Sequence, residues 1–140
     1  MTTRTVTVTR RFNVTPEQLF DAFLDPAIAG RFMFATPTGE MVRVDIEAKV
    51  GGAYTFVDRR DGEDIEHVGQ ILELDRPHRL TFQFAVPKYD PTNTTVRLDI
   101  TADGIGSVLT LTHEGVDDAY LEQTGKGWAM ILENAVQVVG

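Results

Sequence analysis

From residue 42 to residue 115 apolar and polar side chains alternate with a period of two, almost without interruption. Successive side chains on a strand point to opposite faces, so this pattern assigns more than half of the chain to strands with one buried face. Val42, Val44, Ile46 and Ala48 form one face of the first run, opposed by Arg43, Asp45 and Glu47. Gly51-Gly52 breaks it, and Tyr54, Phe56 and Asp58 then alternate with Ala53, Thr55 and Val57. Asp61-Gly62 is a hairpin signal into a strand over 65–74. Gly69 inside that strand predicts a bulge or a close backbone approach. Arg76-Pro77-His78 turns the chain into Leu80, Phe82, Phe84 and Val86, and Pro87 to Pro91 reads as a loop. Val96, Leu98 and Ile100 follow, a hairpin closes over Ala102 to Gly106, and Leu109, Leu111 and His113 share one face of a strand over 107–114. Short turns join these runs, which makes neighbours antiparallel, because parallel pairing needs long crossovers.

Other periodicities flank this block. Residues 3–12 alternate, with Val6, Val8 and Phe12 on one side. Thr15, Pro16 and Gln18 then form a capping box with proline at the first helical position, Val14 and Leu19 a hydrophobic staple, and Asp25-Pro26 ends that helix. Asp25 caps a second short helix through Ala29, which Gly30 stops, and 32–41 reads as a loop. After Asp117-Asp118, either of which can cap, Leu121, Thr124, Trp128, Ile131, Leu132, Ala135 and Val139 recur at helical spacing. Gly125 and Gly127 each cost about 1 kcal/mol of helix propensity, so close approach of this helix to a strand is expected there. The expected fold is α+β: one domain over 1–140, a curved antiparallel β-sheet wrapped around a long C-terminal helix, with two short helices after the first strand.

Composition removes several functions. Thirteen Lys and Arg stand against twenty-one Asp and Glu, a formal charge of −8. Without a basic cluster the chain is not expected to bind nucleic acid, whose affinity comes from counterion release, nor anionic membranes. It lacks cysteine, which excludes disulfides and thiol chemistry. No apolar run reaches the roughly 18 residues of a membrane span and no signal peptide is recognisable, so the expected location is cytoplasmic. The sequons Asn13-Val-Thr15 and Asn93-Thr-Thr95 are read as chance matches.

No nucleophile elbow, zinc-protease helix, P-loop or dinucleotide fingerprint occurs, and Gly104-Ile-Gly106 reads as a turn. His78 is expected in solvent, while His67 and His113 share apolar strand faces, where a hydrogen-bonded core role is expected before catalysis. No metal site and no cofactor are expected, because nothing local offers converging ligands. Asp58, Asp61, Glu63 and Asp64 surround a hairpin tip, where carboxylates are expected to be solvated. The aromatic residues say more. They come from a loop, two strand faces and the last helix, and a curved sheet closing on a helix leaves an apolar space with a few polar groups. That cavity is expected to be lined by Phe32, Phe34, Tyr54, Phe56, His67, Phe82, Phe84, His113 and Trp128.

These motifs resemble the START-like, or SRPBCC, superfamily, and within it the domain of the activator of the heat-shock protein 90 ATPase. The resemblance rests on Val14-Thr-Pro-Glu-Gln-Leu-Phe20 with Asp25-Pro26, Val50-Gly-Gly-Ala-Tyr-Thr-Phe56, Gly69 to Phe82, Leu109-Thr-Leu-Thr-His-Glu-Gly115 and Gly127-Trp128. It implies a helix-grip fold over a hydrophobic cavity. Many relatives carry tryptophan where this chain has Phe32-Met33-Phe34. The resemblance implies three functions. The first is non-catalytic binding of an apolar or amphipathic small molecule. The second is a chaperone-associated, stress-response interaction domain using the loop 32–41. The third is a polyketide-cyclase or hydrolase-type enzyme using His67, His113, Tyr54 or Arg97. A homodimer through the sheet edge or that loop is also open.

Overall fold

The computed structural model describes residues 3–35 and 39–140, with the side chain of Pro91 left aside; Thr36, Pro37 and Thr38 of the expected loop lie outside the described residues. The capping signals ahead of residue 16 act as the sequence predicts. Thr15 accepts from the Gln18 amide at 3.2 Å while Gln18 Oε1 accepts from the Thr15 amide at 3.1 Å, which starts α1 (Pro16–Leu24). Asp25 accepts from the Ala27 amide at 3.0 Å and starts α2 (Pro26–Ala29). Each such cap contributes about 1 kcal/mol by satisfying amides that the first helical turn leaves without partners.

Seven strands form one sheet: β1 (Thr3–Phe12), β2 (Glu40–Ile46), β3 (Ala53–Arg60), β4 (Glu63–Asp75), β5 (Arg79–Val86), β6 (Asp90–Asp103) and β7 (Gly106–Asp117). Their order is β1-β7-β6-β5-β4-β3-β2, antiparallel at every step. A 3-10 turn over Asp118–Tyr120 leads into α3 (Leu121–Val139), which packs on β1 and β7 within the curve of the sheet. This is the helix-grip arrangement. Val6 and Phe12 of β1, Leu109 and Leu111 of β7, and Trp128, Ile131, Leu132 and Ala135 of α3 are buried together. Burying a large apolar side chain contributes roughly 1.5–3 kcal/mol, so this seam holds helix to sheet. Arg10 on β1 adds an ion pair to Glu133 on α3 at 2.8 Å.

Several expectations shift. β2 begins at Glu40, inside the expected loop, and its register slips between Met41 and Arg43, turning Val42 outward to 38% exposure; Ala48 lies beyond the strand. β6 begins at Asp90, inside the loop expected over 87–91. Asp117 does cap, but it caps the 3-10 turn through the Ala119 amide, and α3 starts without a side-chain cap. Asp58 is the clearest correction. Its position on the same face as Tyr54 and Phe56 turns it inward, so it is fully buried rather than solvated.

Gly69 meets its expectation: a Cβ there would lie 1.7 Å from the Gln83 carbonyl oxygen and 2.7 Å from the Tyr54 ring. The helix glycines do not. A Cβ at Gly125 would meet Val6 at an ordinary 3.7 Å, and one at Gly127 would meet nothing within 4 Å. Close packing therefore does not demand Gly127. Gly127→Ala is expected to raise unfolding stability by about 1 kcal/mol in urea titration, the helix-propensity difference; an unchanged or lower midpoint would contradict this account of α3.

Candidate functional site

Phe34 sits at the centre of the aromatic set. Its ring stacks on His67 at 4.3 Å and on Phe84 at 5.2 Å, and meets Phe56 and Trp128 edge-on at 5.3 and 5.7 Å. The backbone that aims it inward has φ 58°, the left-handed region that a phenylalanine seldom occupies. Phe32 and Met33 beside it are buried as well, and Phe32 packs edge-on against Phe23 of α1. Of the loop 32–41 expected as a contact surface, Phe32, Met33 and Phe34 face the core.

His113 on β7 lies in a chain of hydrogen bonds. Trp128 Nε1 donates to His113 Nδ1 at 2.9 Å, and Nε2 lies 2.6 Å from Thr94 Oγ1, which donates to the Phe84 carbonyl at 3.0 Å. An indole can only donate, so Nδ1 must accept, which leaves the proton on Nε2 and makes the ring neutral. Burial holds the His113 pKa down to about 4, and burial does the same, to about 4, for His67, whose Nδ1 lies 3.3 Å from the Phe56 carbonyl. The Tyr54 hydroxyl donates to the Gln83 carbonyl at 2.7 Å, and burial raises its pKa well above the ordinary tyrosine value.

Two spaces adjoin this cluster. A cleft of about 610 Å³ opens at the end of the grip where α3 begins. Its floor is Phe84, Ala85, Val86 and Val116; around it stand Thr3, Thr92, Thr94, Tyr89, Tyr120, Gln123 and Thr124, with Arg60, His113, Asp90 and Asp117. Tyr89 and Tyr120, 66% and 51% exposed, flank its mouth. A much smaller space, about 30 Å³, lies among Phe23, Leu24, Met33, Ile46, Tyr54, Phe56, Ile71, Leu80 and Phe82. Lined only by apolar groups and one hydroxyl already engaged, it offers water no set of partners.

The nine expected cavity residues are therefore brought together but divided. Phe84 and His113 line the cleft; Tyr54, Phe56 and Phe82 line the small space; Phe32, Phe34, His67 and Trp128 line neither and fill the interior between. Arg97 pairs with Asp99 and Glu114 away from the cleft lining, and His78 is exposed. The residues that sequence reasoning missed are those around the cleft mouth. Their only signal was that two tyrosines, Tyr89 and Tyr120, fall in turns, off the strand and helix stripes that carry most of the other aromatics.

Arg60 and the two acids of the cleft are engaged. Arg60 pairs with buried Asp58 at 2.7 Å, Asp90 accepts from the Thr92 amide at 2.9 Å, and Asp117 from the Ala119 amide at 2.9 Å. Among the described residues no group of three or more His, Asp or Glu side chains is disposed to hold a metal ion, and no helix is long and apolar enough to cross a membrane.

Comparison with known families matches residues 13–140 to the family described as Activator of Hsp90 ATPase homolog 1-like protein. No curated protein matches the chain. Among solved structures, protein CV1439 from Chromobacterium violaceum is similar with a TM-score of 0.88 at 24% identity, over 96% of each chain. The AHSA1-like protein from Aeromonas hydrophila superposes with a TM-score of 0.85 at 17% identity, covering 97% of this chain and 92% of that one. CalU16 from Micromonospora echinospora gives 0.75 at 21% identity, over 99% of this chain and 77% of its own. At these identities the likeness is one of fold.

Proposed function

We propose, starting from a chain that belongs to the Activator of Hsp90 ATPase homolog 1-like family, that it binds an amphipathic small molecule non-catalytically in the cleft beside α3. The observation that carries this reading is the cleft itself. Its 610 Å³ falls in the size range of small-molecule sites, and it pairs an apolar floor with convergent polar groups at the rim. Arg60 Nε is engaged by Asp58, and one oxygen each of Asp90 and Asp117 by a backbone amide, so most of the polar groups around the cleft are neutral hydroxyls and the Gln123 amide. That favours an uncharged, hydroxyl-bearing amphiphile whose apolar part lies on Phe84, Val86 and Val116.

The histidine in the cleft supports binding over catalysis, because both of its ring nitrogens are committed to Trp128 and Thr94. A general base needs a free lone pair within reach of its substrate. The chaperone reading draws on the family description and on the loop 32–41, of which Phe32, Met33 and Phe34 are buried. Native mass spectrometry of the purified protein and a thermal-shift series with n-octyl glucoside below its micelle threshold test the proposal. A saturating ligand at a hundred times its Kd adds about 2.7 kcal/mol, which raises the melting midpoint by several degrees. No bound mass and no shift would overturn it.

A further inference from the structure

The ring of Phe34 lies between a residue that lines the cleft and a residue that lines the small apolar space. On one side it stacks on Phe84, and on the other it meets Phe56 edge-on. We infer that Phe34 is the specificity-determining residue of the cleft: packed behind Phe84, its ring backs the wall that stops a ligand's apolar end short of the space around Ile46 and Ile71. This rests on the proposed binding function and adds the depth to which a ligand enters.

Three observations fix the wall in place. His67 and Phe84 both lie nearly parallel to the ring, at 4.3 and 5.2 Å, and Trp128 meets it edge-on. The stacked histidine is itself anchored to the Phe56 carbonyl, so the stack is tied to β3. The left-handed backbone at Phe34 departs from what its side chain prefers, and such conformations persist where the surroundings over-determine them, often at ligand clamps. A phenylalanine whose only task were to fill the core would not require this geometry. Here the turn after α2 is bent so that one ring stands behind both Phe84, which lines the cleft, and Phe56, which lines the small space. Ligands that fit are therefore compact at their apolar end, and replacing the ring joins the two spaces into one longer pocket.

The test is an NMR titration of methyl-labelled protein with n-octyl glucoside, reading intermolecular NOEs from the octyl chain. In the wild type, NOEs are expected to the Val86 and Val116 methyls and not to those of Ile46 and Ile71. In Phe34→Ala the Ile46 and Ile71 methyls are expected to gain NOEs while those at Val86 and Val116 persist. Phe34→Gly removes the same ring and suits the left-handed backbone, so it serves where Phe34→Ala does not fold. NOEs to Ile46 or Ile71 in the wild type would overturn the wall, as would their absence in a folded Phe34 variant that keeps those at Val86 and Val116. A wild type without NOEs at Val86 and Val116 would overturn the binding reading itself, and this inference with it.

Discussion

Lowering the pH from 6.5 to 4 is expected to remove about 6 kcal/mol of unfolding stability, roughly half from His67 and half from His113. Burial holds each at about 4, against 6.5 for an ordinary histidine. Between those values the unfolded chain binds protons that the folded chain refuses, so acid favours unfolding there. Stability is thus complete above 6.5 and is lost as pH falls through 4, by about 3 kcal/mol for each ring. Protonated His113 would also set an N–H against the indole N–H of Trp128, replacing a hydrogen bond by a clash of donors. Asp21, Asp64 and Asp90 are held below 3.8, chiefly by hydrogen bonds to Arg76, Arg59 and Thr92 respectively, so their protonation weakens the fold at still lower pH. Urea midpoints at pH 7.5, 5.5 and 4.5 measure the effect. His67→Phe keeps an aromatic ring in the stack and should halve the slope; a stability that does not change over this window would show that the two rings are not buried neutral.

Asp58→Ala is expected to cost about 3 kcal/mol, although the sequence places this residue beside a hairpin tip. Its carboxylate is fully buried and pairs with Arg60, whose side chain is only 34% exposed. Removing one member of a buried pair leaves the other charge without compensation, and that loss exceeds what the pair contributed over an apolar replacement. The effect stays at the lower end of the usual range because Arg60 can reach water through the cleft. Asp58→Asn keeps shape and hydrogen-bonding capacity and should cost less. Urea unfolding of the two variants decides; equal and negligible losses would place Asp58 in solvent.

Sheet and helices were legible because their signals are local. Thr15-Pro16-Glu17-Gln18, Asp25-Pro26, Asp61-Gly62 and the alternation of Leu109, Leu111 and His113 each specify geometry within a few residues. The burial of Asp58 was also within reach, since it continues the face of Tyr54 and Phe56, but proximity to a turn suggested solvent instead. The division of the aromatic set was not legible. Whether Phe34 fills a cavity or lines one depends on a backbone φ of 58° and on rings from β4, β5 and α3 meeting around it, and alternation along one strand carries no such information. The cleft was hidden for a related reason: Thr3, Arg60, Val86 and Thr124 stand far apart in the chain and converge only where strand ends meet the start of α3.

Calorimetric titration of the wild type and Thr124→Trp with n-octyl glucoside tests the binding claim most directly. Thr124 lies half-buried in the first turns of α3 and faces the cleft, so an indole there occupies the space without entering the core. Saturable one-to-one binding by the wild type is expected, lost in Thr124→Trp at an unchanged thermal midpoint. Equal binding by both proteins, or none by the wild type, would contradict the assignment of the cleft as the ligand site.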